Sequence, residues 1–144
     1  MFRFLLAGAL VAGVATVVVA QGDPIAQRKQ IMKNVGAATK LGGELAKGEK
    51  PFDLGEAQKI LKTYEDAAAT VPGLYPETSK TGGETSASPK IWADPAGFKT
   101  EFEKWAGDLK KTSGDVKDLA TFRASFGAAT KACRGCHETY RIKT

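Results

Sequence analysis

The sequence has 144 residues, of which 42% are hydrophobic and 26% are charged. These proportions are ordinary for one globular domain, and they exclude a disordered chain or a protein with several membrane spans. Lys and Arg number 21 against 16 Asp and Glu, without a run of five like charges, so we expect no nucleic-acid binding. The single histidine, His137, excludes any site that needs two imidazoles, such as a Cys2His2 zinc finger.

The first twenty residues are typical of a secretory signal peptide. Residues 1–3 form a short positive segment, and residues 4–20 are apolar apart from Thr16. The small residue Ala20 precedes a polar segment. An uncleaved membrane anchor is the alternative, but this stretch lies at the lower limit of about 17 residues for a span. We therefore predict cleavage after Ala20, export to an oxidising compartment, and no stable membrane insertion of the remaining domain, residues 21–144.

Helix signals recur along residues 21–144, and strand signals do not. Four N-cap signals predict four helix starts: Asp23-Pro24, Asp53 with Glu56, Asp94-Pro95, and Asp115 or Asp118. Apolar residues follow each start at helical spacing. Residues 71–92 are rich in proline and glycine and are predicted to be a long irregular connection. The fold class predicted is all-α, an antiparallel four-helix bundle, because each helix has one apolar face to bury.

The chemistry is concentrated in the segment Cys133–His137, which spells CRGCH. A CxxC pair followed at once by histidine is the signature of covalent haem attachment in c-type cytochromes. At about 100° per residue, both thiols and the imidazole fall on one side of a helix. That side is also the apolar stripe of the last helix. We therefore predict one haem c per chain, bound covalently through Cys133 and Cys136 and enclosed in the bundle, with His137 as the proximal iron ligand.

Three other interpretations of this segment compete with haem attachment. A thiol oxidoreductase usually carries CxxC at a helix N-terminus after a strand, whereas this pair lies near the end of a predicted helix. A zinc site would have three ligands here but lacks an obvious fourth. A structural disulfide is compatible with export, but it leaves His137 unexplained.

The second axial position of the iron decides the function. Once residues 1–20 are removed, Met32 is the only methionine, and it lies centrally on the apolar stripe of the first helix, one turn before Gly36. A Met/His pair makes the iron six-coordinate and raises its reduction potential, which suits electron transfer. The alternative is that Met32 only fills the core.

Several cationic side chains near this site have two interpretations each. Arg28 lies one turn before Met32 and either contacts a haem propionate or extends to solvent at the end of the bundle. Lys131, Arg134, Arg141 and Lys143 surround the attachment helix, where they either steer an acidic redox partner or form a solvated face.

The motifs resemble those of the class II c-type cytochromes, the group of cytochrome c′ and the low-spin cytochromes c-556. Residues 25–33 resemble the first helix of that family, residues 88–92 the segment before its third helix, and residues 133–140 its attachment helix. The resemblance covers nearly all of residues 21–144. It implies a periplasmic haem protein of a proteobacterium, often a homodimer through the first two helices.

The resemblance also implies two kinds of iron site. The cytochromes c′ carry a non-ligating residue, often Leu, at the position that matches Met32, and their five-coordinate high-spin iron binds nitric oxide or carbon monoxide. The cytochromes c-556 carry a ligating Met there. By this comparison the chain is an electron carrier rather than an enzyme, and it exchanges electrons with redox proteins that the sequence does not identify. A high-spin gas-binding protein is the alternative, because Arg28 is also present in many cytochromes c′.

Overall fold

The computed structural model describes residues 22–142. Its helices are α1 (Pro24–Lys47), α2 (Leu54–Thr70), α3 (Lys90–Ala93), α4 (Pro95–Thr112) and α5 (Leu119–Tyr140). Four of them are long, and the described chain contains no strand, only an isolated bridge between Ala87 and Arg141. The all-α four-helix architecture predicted from the sequence is therefore confirmed.

An aspartate caps the start of every long helix. In each case its side chain accepts a hydrogen bond from a backbone N–H of the first turn: Asp23 from Ile25, Asp53 from Glu56, Asp94 from Gly97, and Asp118 from Thr121. Asp118 rather than Asp115 caps α5, because Thr121 completes a capping box with it. Asp115 lies instead in a 3-10 turn that follows α4.

The long helices pack in a ring in which α1 contacts α2, α2 contacts α4, α4 contacts α5, and α5 contacts α1. The largest fully buried side chains include Tyr64 of α2 and Phe122 of α5. Between α1 and α5 the approach is very close, since a Cβ built on Gly42 would lie 2.3 Å from Cε2 of Phe126. Only glycine therefore allows this contact without movement of the Phe126 ring.

The connection between α2 and α4 is more ordered than its composition suggests. It contains two 3-10 turns, Val71–Leu74 and Glu77–Ser79, before the helical turn α3, so the prediction of an irregular segment through residue 92 is only partly right. Its last part is bound to the end of α5. The backbone N–H of Ser88 donates to the carbonyl of Tyr140 at 3.0 Å, and that of Ile142 donates to Ser86 at 2.8 Å. We call residues 71–89 the connection.

Across residues 22–142, no helix combines the length and the apolar character that a membrane crossing requires. The predicted signal peptide, residues 1–20, lies outside the described residues.

Candidate haem site

A cavity of about 640 Å³ opens between α1, α5 and the connection. Its volume is within the usual range of about 300–1,000 Å³ for ligand pockets. Met32 of α1 lines it together with Cys133, Cys136 and His137 of α5. The same four residues line a smaller adjoining cavity on the α4 side. The structure thus brings together the four residues that the sequence analysis chose as haem and iron ligands.

The two cysteines lie on the inner side of α5 with their side chains partly buried, and neither forms a disulfide. Burial raises the pKa of the Cys133 thiol, and burial together with Glu101 raises that of Cys136 to about 11. A thiol oxidoreductase needs the opposite shift, because the thiolate is the attacking form. The environment of this pair therefore does not favour the oxidoreductase interpretation.

His137 lies at the mouth of the large cavity, where part of its surface faces solvent and part faces the cavity wall. Partial burial and the charge of Arg141 lower the pKa of its imidazole. Both effects favour the neutral ring, which is the form that can bind a metal. Within residues 22–142 no group of three or more His, Cys, Asp or Glu side chains could hold a metal ion, so the zinc interpretation gains no support.

Met32 lines the same cavity from the neighbouring helix, α1. Its side chain is partly buried and packs against the hydrophobic core. One turn further along, a Cβ on Gly36 would meet no atom within 4 Å. The surface of α1 next to Met32 is therefore open on the cavity side, which is the arrangement expected where a flat group approaches a helix.

Arg28 lines the same cavity but is only 3% exposed. Its Nη1 donates to the Leu74 carbonyl at 3.0 Å and to Ser79 Oγ at 2.8 Å. Its Nη2 donates to the Ser79 carbonyl and to Thr85 Oγ1, both at 3.1 Å. The guanidinium also lies 4.5 Å from the ring centroid of Tyr75. The side chain consequently does not extend to solvent, and it fixes the connection to α1.

The two tryptophans near the site differ in whether the indole N–H has a hydrogen-bond acceptor. Trp92 donates from Nε1 to the carbonyl of Tyr75 at 3.0 Å, so it anchors the connection. Trp105 lines the smaller cavity, and its Nε1 is the only buried side-chain N or O atom of the described residues without a hydrogen-bond partner. Buried donors normally have acceptors, so Nε1 of Trp105 fits a bound group that supplies one. The aromatic spacing predicts Trp105 as core but gives no sign of this free donor.

The donor set and the walls of this site fit haem c. Two thiols, one imidazole and one thioether face a common space, and Val35, Phe98 and Phe102 give it apolar walls. An apolar enclosure of this kind removes the porphyrin ring from water.

The chain is similar to known haem proteins over nearly all of its described length. The family model described as Cytochrome C' matches residues 23–141. A cytochrome c' of Rhodopseudomonas palustris (strain ATCC BAA-98 / CGA009) is 43% identical over 96% of this chain and 94% of its own length. A cytochrome c-556 of the same strain is 37% identical over 96% of this chain and 95% of its own length.

A solved structure of cytochrome c' from Rhodopseudomonas palustris superposes with a TM-score of 0.80 at 43% identity, covering 86% of this chain and 99% of that one. The match extends through the capped first helix, the connection and the CRGCH segment. Haem c is the cofactor of such proteins. The chain therefore belongs to the cytochrome c′ family and is a class II c-type cytochrome with a single haem.

Proposed function

We propose that this protein is an electron carrier with six-coordinate, low-spin iron. In this proposal Cys133 and Cys136 hold haem c covalently, His137 is the proximal iron ligand, and Met32 is the distal ligand. The observation that carries the proposal is that Met32 and His137 line the same cavity from two neighbouring helices, α1 and α5. Met32 is also the only thioether of residues 21–144.

When bound, haem c supplies a one-electron couple at its iron. The side chains of this protein hold and tune that couple. Cys133 and Cys136 keep the porphyrin in one orientation, and the imidazole of His137 offers a ring nitrogen to the metal. The soft sulfur of Met32 would be the second ligand that the protein supplies to the iron, which would raise the reduction potential and leave no vacant site for other ligands.

Arg28 is the proposed partner of a haem propionate through its charge. Its four terminal N–H contacts hold it in the wall of the cavity, so the positive charge stays in place. Attraction between a fixed cation and a carboxylate is strongest where water is scarce. In this way Arg28 would orient the acidic edge of the porphyrin toward the connection.

Absorption spectra of the purified oxidised and reduced protein test the ligation. We expect low-spin spectra that carbon monoxide and nitric oxide leave unchanged. The Met32→Leu variant should become high-spin and bind carbon monoxide, because Leu offers no donor atom. Ile31→Leu, a change at the neighbouring position, is the control and should keep the wild-type spectrum. Rapid gas binding by the wild type, unaltered by Met32→Leu, would exclude the proposed ligand.

Mass spectrometry of the intact protein tests the attachment. Denatured wild-type protein should retain the mass of one haem, and replacing both Cys133 and Cys136 by Ala should abolish that retention. Thiols that react fully with an alkylating reagent in the wild type would contradict covalent attachment.

The second candidate is a gas-binding protein with five-coordinate iron. The comparisons keep this candidate open, because the chain is 43% identical to a cytochrome c' and 37% identical to a cytochrome c-556 of the same strain. The carbon monoxide experiment separates the two candidates, since only an iron site without the Met32 sulfur binds the gas rapidly.

We propose that the protein acts in the periplasm after removal of residues 1–20. The supporting features are the layout of that segment and the oxidising chemistry of the compartment. The N-terminal sequence of the protein recovered from its host tests this, with Gln21 as the expected first residue. A chain that keeps residues 1–20 would contradict it.

A homodimer through α1 and α2 is proposed from the resemblance. A groove between these two helices carries apolar side chains from both, including Ile31 and Leu41 of α1 and Ile60 of α2. Analytical ultracentrifugation should show a dimer for the wild type and a monomer for Leu41→Glu. A monomeric wild type would refute it.

A further inference from the structure

Two columns of side chains flank the mouth of the haem cavity with the same spacing. On α1 the column is Lys29, Lys33, Gly36 and Lys40, and on α5 it is Thr130, Arg134, His137 and Arg141, which continues to the residue after the helix. Steps of four, three and four residues keep each column on one side of its helix. Several members line the cavity itself, namely Lys29, Lys33, Gly36, Thr130, His137 and Arg141. We call the five cationic members the basic rim.

The basic rim belongs to a strongly cationic side of the molecule. Helices α1 and α5 contain eight Lys or Arg residues and only two acidic ones, Glu44 and Glu138. Helices α2 and α4 instead contain six Lys and six Asp or Glu residues. The positive charge is therefore concentrated on the two helices that border the cavity mouth, while the other two helices are neutral together.

The rim cations are also mostly uncompensated. Lys29 lies 3.9 Å from Glu84, an exposed pair of little strength. Lys33, Lys40, Arg134 and Arg141 have no ion pair with any residue in the range 22–142, and all four are exposed. On α4, in contrast, Lys99 pairs with Glu103 at 3.4 Å and Lys104 with Glu101 at 3.7 Å. The two carboxylates of a bound haem would offset only part of the rim.

We propose that the basic rim is the docking surface for an acidic redox protein, an inference that rests on the proposed function. A partner with a negative patch would be steered to the mouth of the cavity that the cofactor would occupy. One electron then passes between the two proteins, and no bond forms or breaks. A membrane surface is the less suitable ligand, because Leu54 and Ile142 are the only large apolar side chains exposed in the described part of the chain.

Stopped-flow kinetics of the haem-loaded protein test the proposal. Reduced protein is mixed with ferricyanide or with tris(phenanthroline)cobalt(III), which carry opposite charges and each accept one electron. Oxidation by ferricyanide should slow as ionic strength rises, and oxidation by the cobalt complex should accelerate. Reduction of the oxidised protein is tested with a protein probe, an acidic flavodoxin in its reduced form. The rate of this electron transfer should also fall with added salt.

Charge-reversal variants on α1 test whether the basic rim causes the salt dependence of the electron-transfer rates. Lys33→Glu and Lys40→Glu should each lower the ferricyanide and flavodoxin rates about threefold or more at low ionic strength. Lys110→Glu is the matched control, because this exposed lysine of α4 has no ion pair with a described residue. It changes the net charge equally but lies outside the basic rim and outside the lining of the cavity, so it should have a much smaller effect.

If the three charge reversals lowered the rates equally, the net charge of the protein alone would explain the salt dependence. That result would overturn the proposal. Salt-independent flavodoxin rates together with cosedimentation with anionic phospholipid vesicles would overturn it in favour of a membrane surface. A high-spin, gas-binding spectrum would instead refute the proposed function, and the spectrum is measured independently of these rates.

Discussion

Arg28 donates to both oxygens of Ser79, from Nη1 to Oγ at 2.8 Å and from Nη2 to the carbonyl at 3.1 Å. The two residues are 51 positions apart, and both are buried. A planar guanidinium can direct parallel N–H bonds at two neighbouring acceptors, whereas an ammonium group cannot. The pair therefore ties α1 to the connection at the edge of the haem cavity.

Replacing Arg28 by Gln should destabilise the protein and loosen the connection. The change leaves the hydroxyl of Ser79 and the carbonyl of Leu74 short of a donor, and hydrogen bonds to a charged group contribute about 1.5–3 kcal/mol each. We expect a loss of about 3 kcal/mol in the free energy of unfolding by urea, with faster hydrogen exchange in the connection. Lys29→Gln, at the adjacent exposed position, is the control and should stay within about 0.5 kcal/mol of the wild type. A similarly small effect of Arg28→Gln would show that the network does not hold the connection.

Gly42→Ala should cost about 1–3 kcal/mol, because its new methyl group would overlap the Phe126 ring at 2.3 Å. That ring is confined by aromatic neighbours, with its centroid 5.4 Å from that of Phe122 and 6.5 Å from that of Tyr64. Gly43→Ala is the control on the same helix. Its Cβ would meet nothing within 4 Å, and it should be neutral or stabilise by up to about 1 kcal/mol. Thermal unfolding of both variants measures the difference, and equal melting temperatures would argue against a close contact of α1 with α5.

Asp94 should give the stability of the protein a component that depends on pH. The backbone N–H of Gly97 and the hydroxyl of Tyr140 both donate to its carboxylate and hold its pKa below the usual value. A carboxyl whose pKa is lower in the folded state stabilises the fold above the unfolded pKa of about 3.9, and this stabilisation disappears as pH falls through the folded pKa.

The Asp94→Asn variant isolates that component, because Asn still accepts the capping hydrogen bond. The variant should be less stable than the wild type at pH 7, and the two stabilities should converge below about pH 4. Tyr140→Phe removes one of the two donors and should show a smaller dependence on pH than the wild type. Urea titrations across this range provide the measurement, and parallel curves for wild type and Asp94→Asn would disprove the assignment.

Local sequence patterns predict the parts of this structure that depend on neighbouring residues. The aspartate caps lie next to the helices they start, and the spacing within CRGCH fixes which side of α5 its side chains occupy. Met32 could be chosen as a ligand by elimination, because it is the only thioether of residues 21–144.

The unpredicted parts depend on partners that are distant in the chain. The contacts of Arg28 are 46 to 57 positions away, so no local pattern indicates whether its charge faces water, a carboxylate or a loop. Likewise, Gly42 is one of several glycines in α1, and only the packing of Phe126 distinguishes it. The unsatisfied Nε1 of Trp105 follows from the three-dimensional arrangement of its neighbours alone.

The connection bridges α1, which carries Met32, and α5, which carries His137, through hydrogen bonds to both. It is held to α1 by Arg28, and Ser88 and Ser86 are hydrogen-bonded to Tyr140, the last residue of α5, and to Ile142 just beyond it. These hydrogen bonds tie α1 and α5 together through the connection, by contacts within the polypeptide alone. In the proposed electron carrier, such pre-organisation would let the iron change its oxidation state while the surrounding protein moves little, so that little reorganisation energy would oppose each electron transferred.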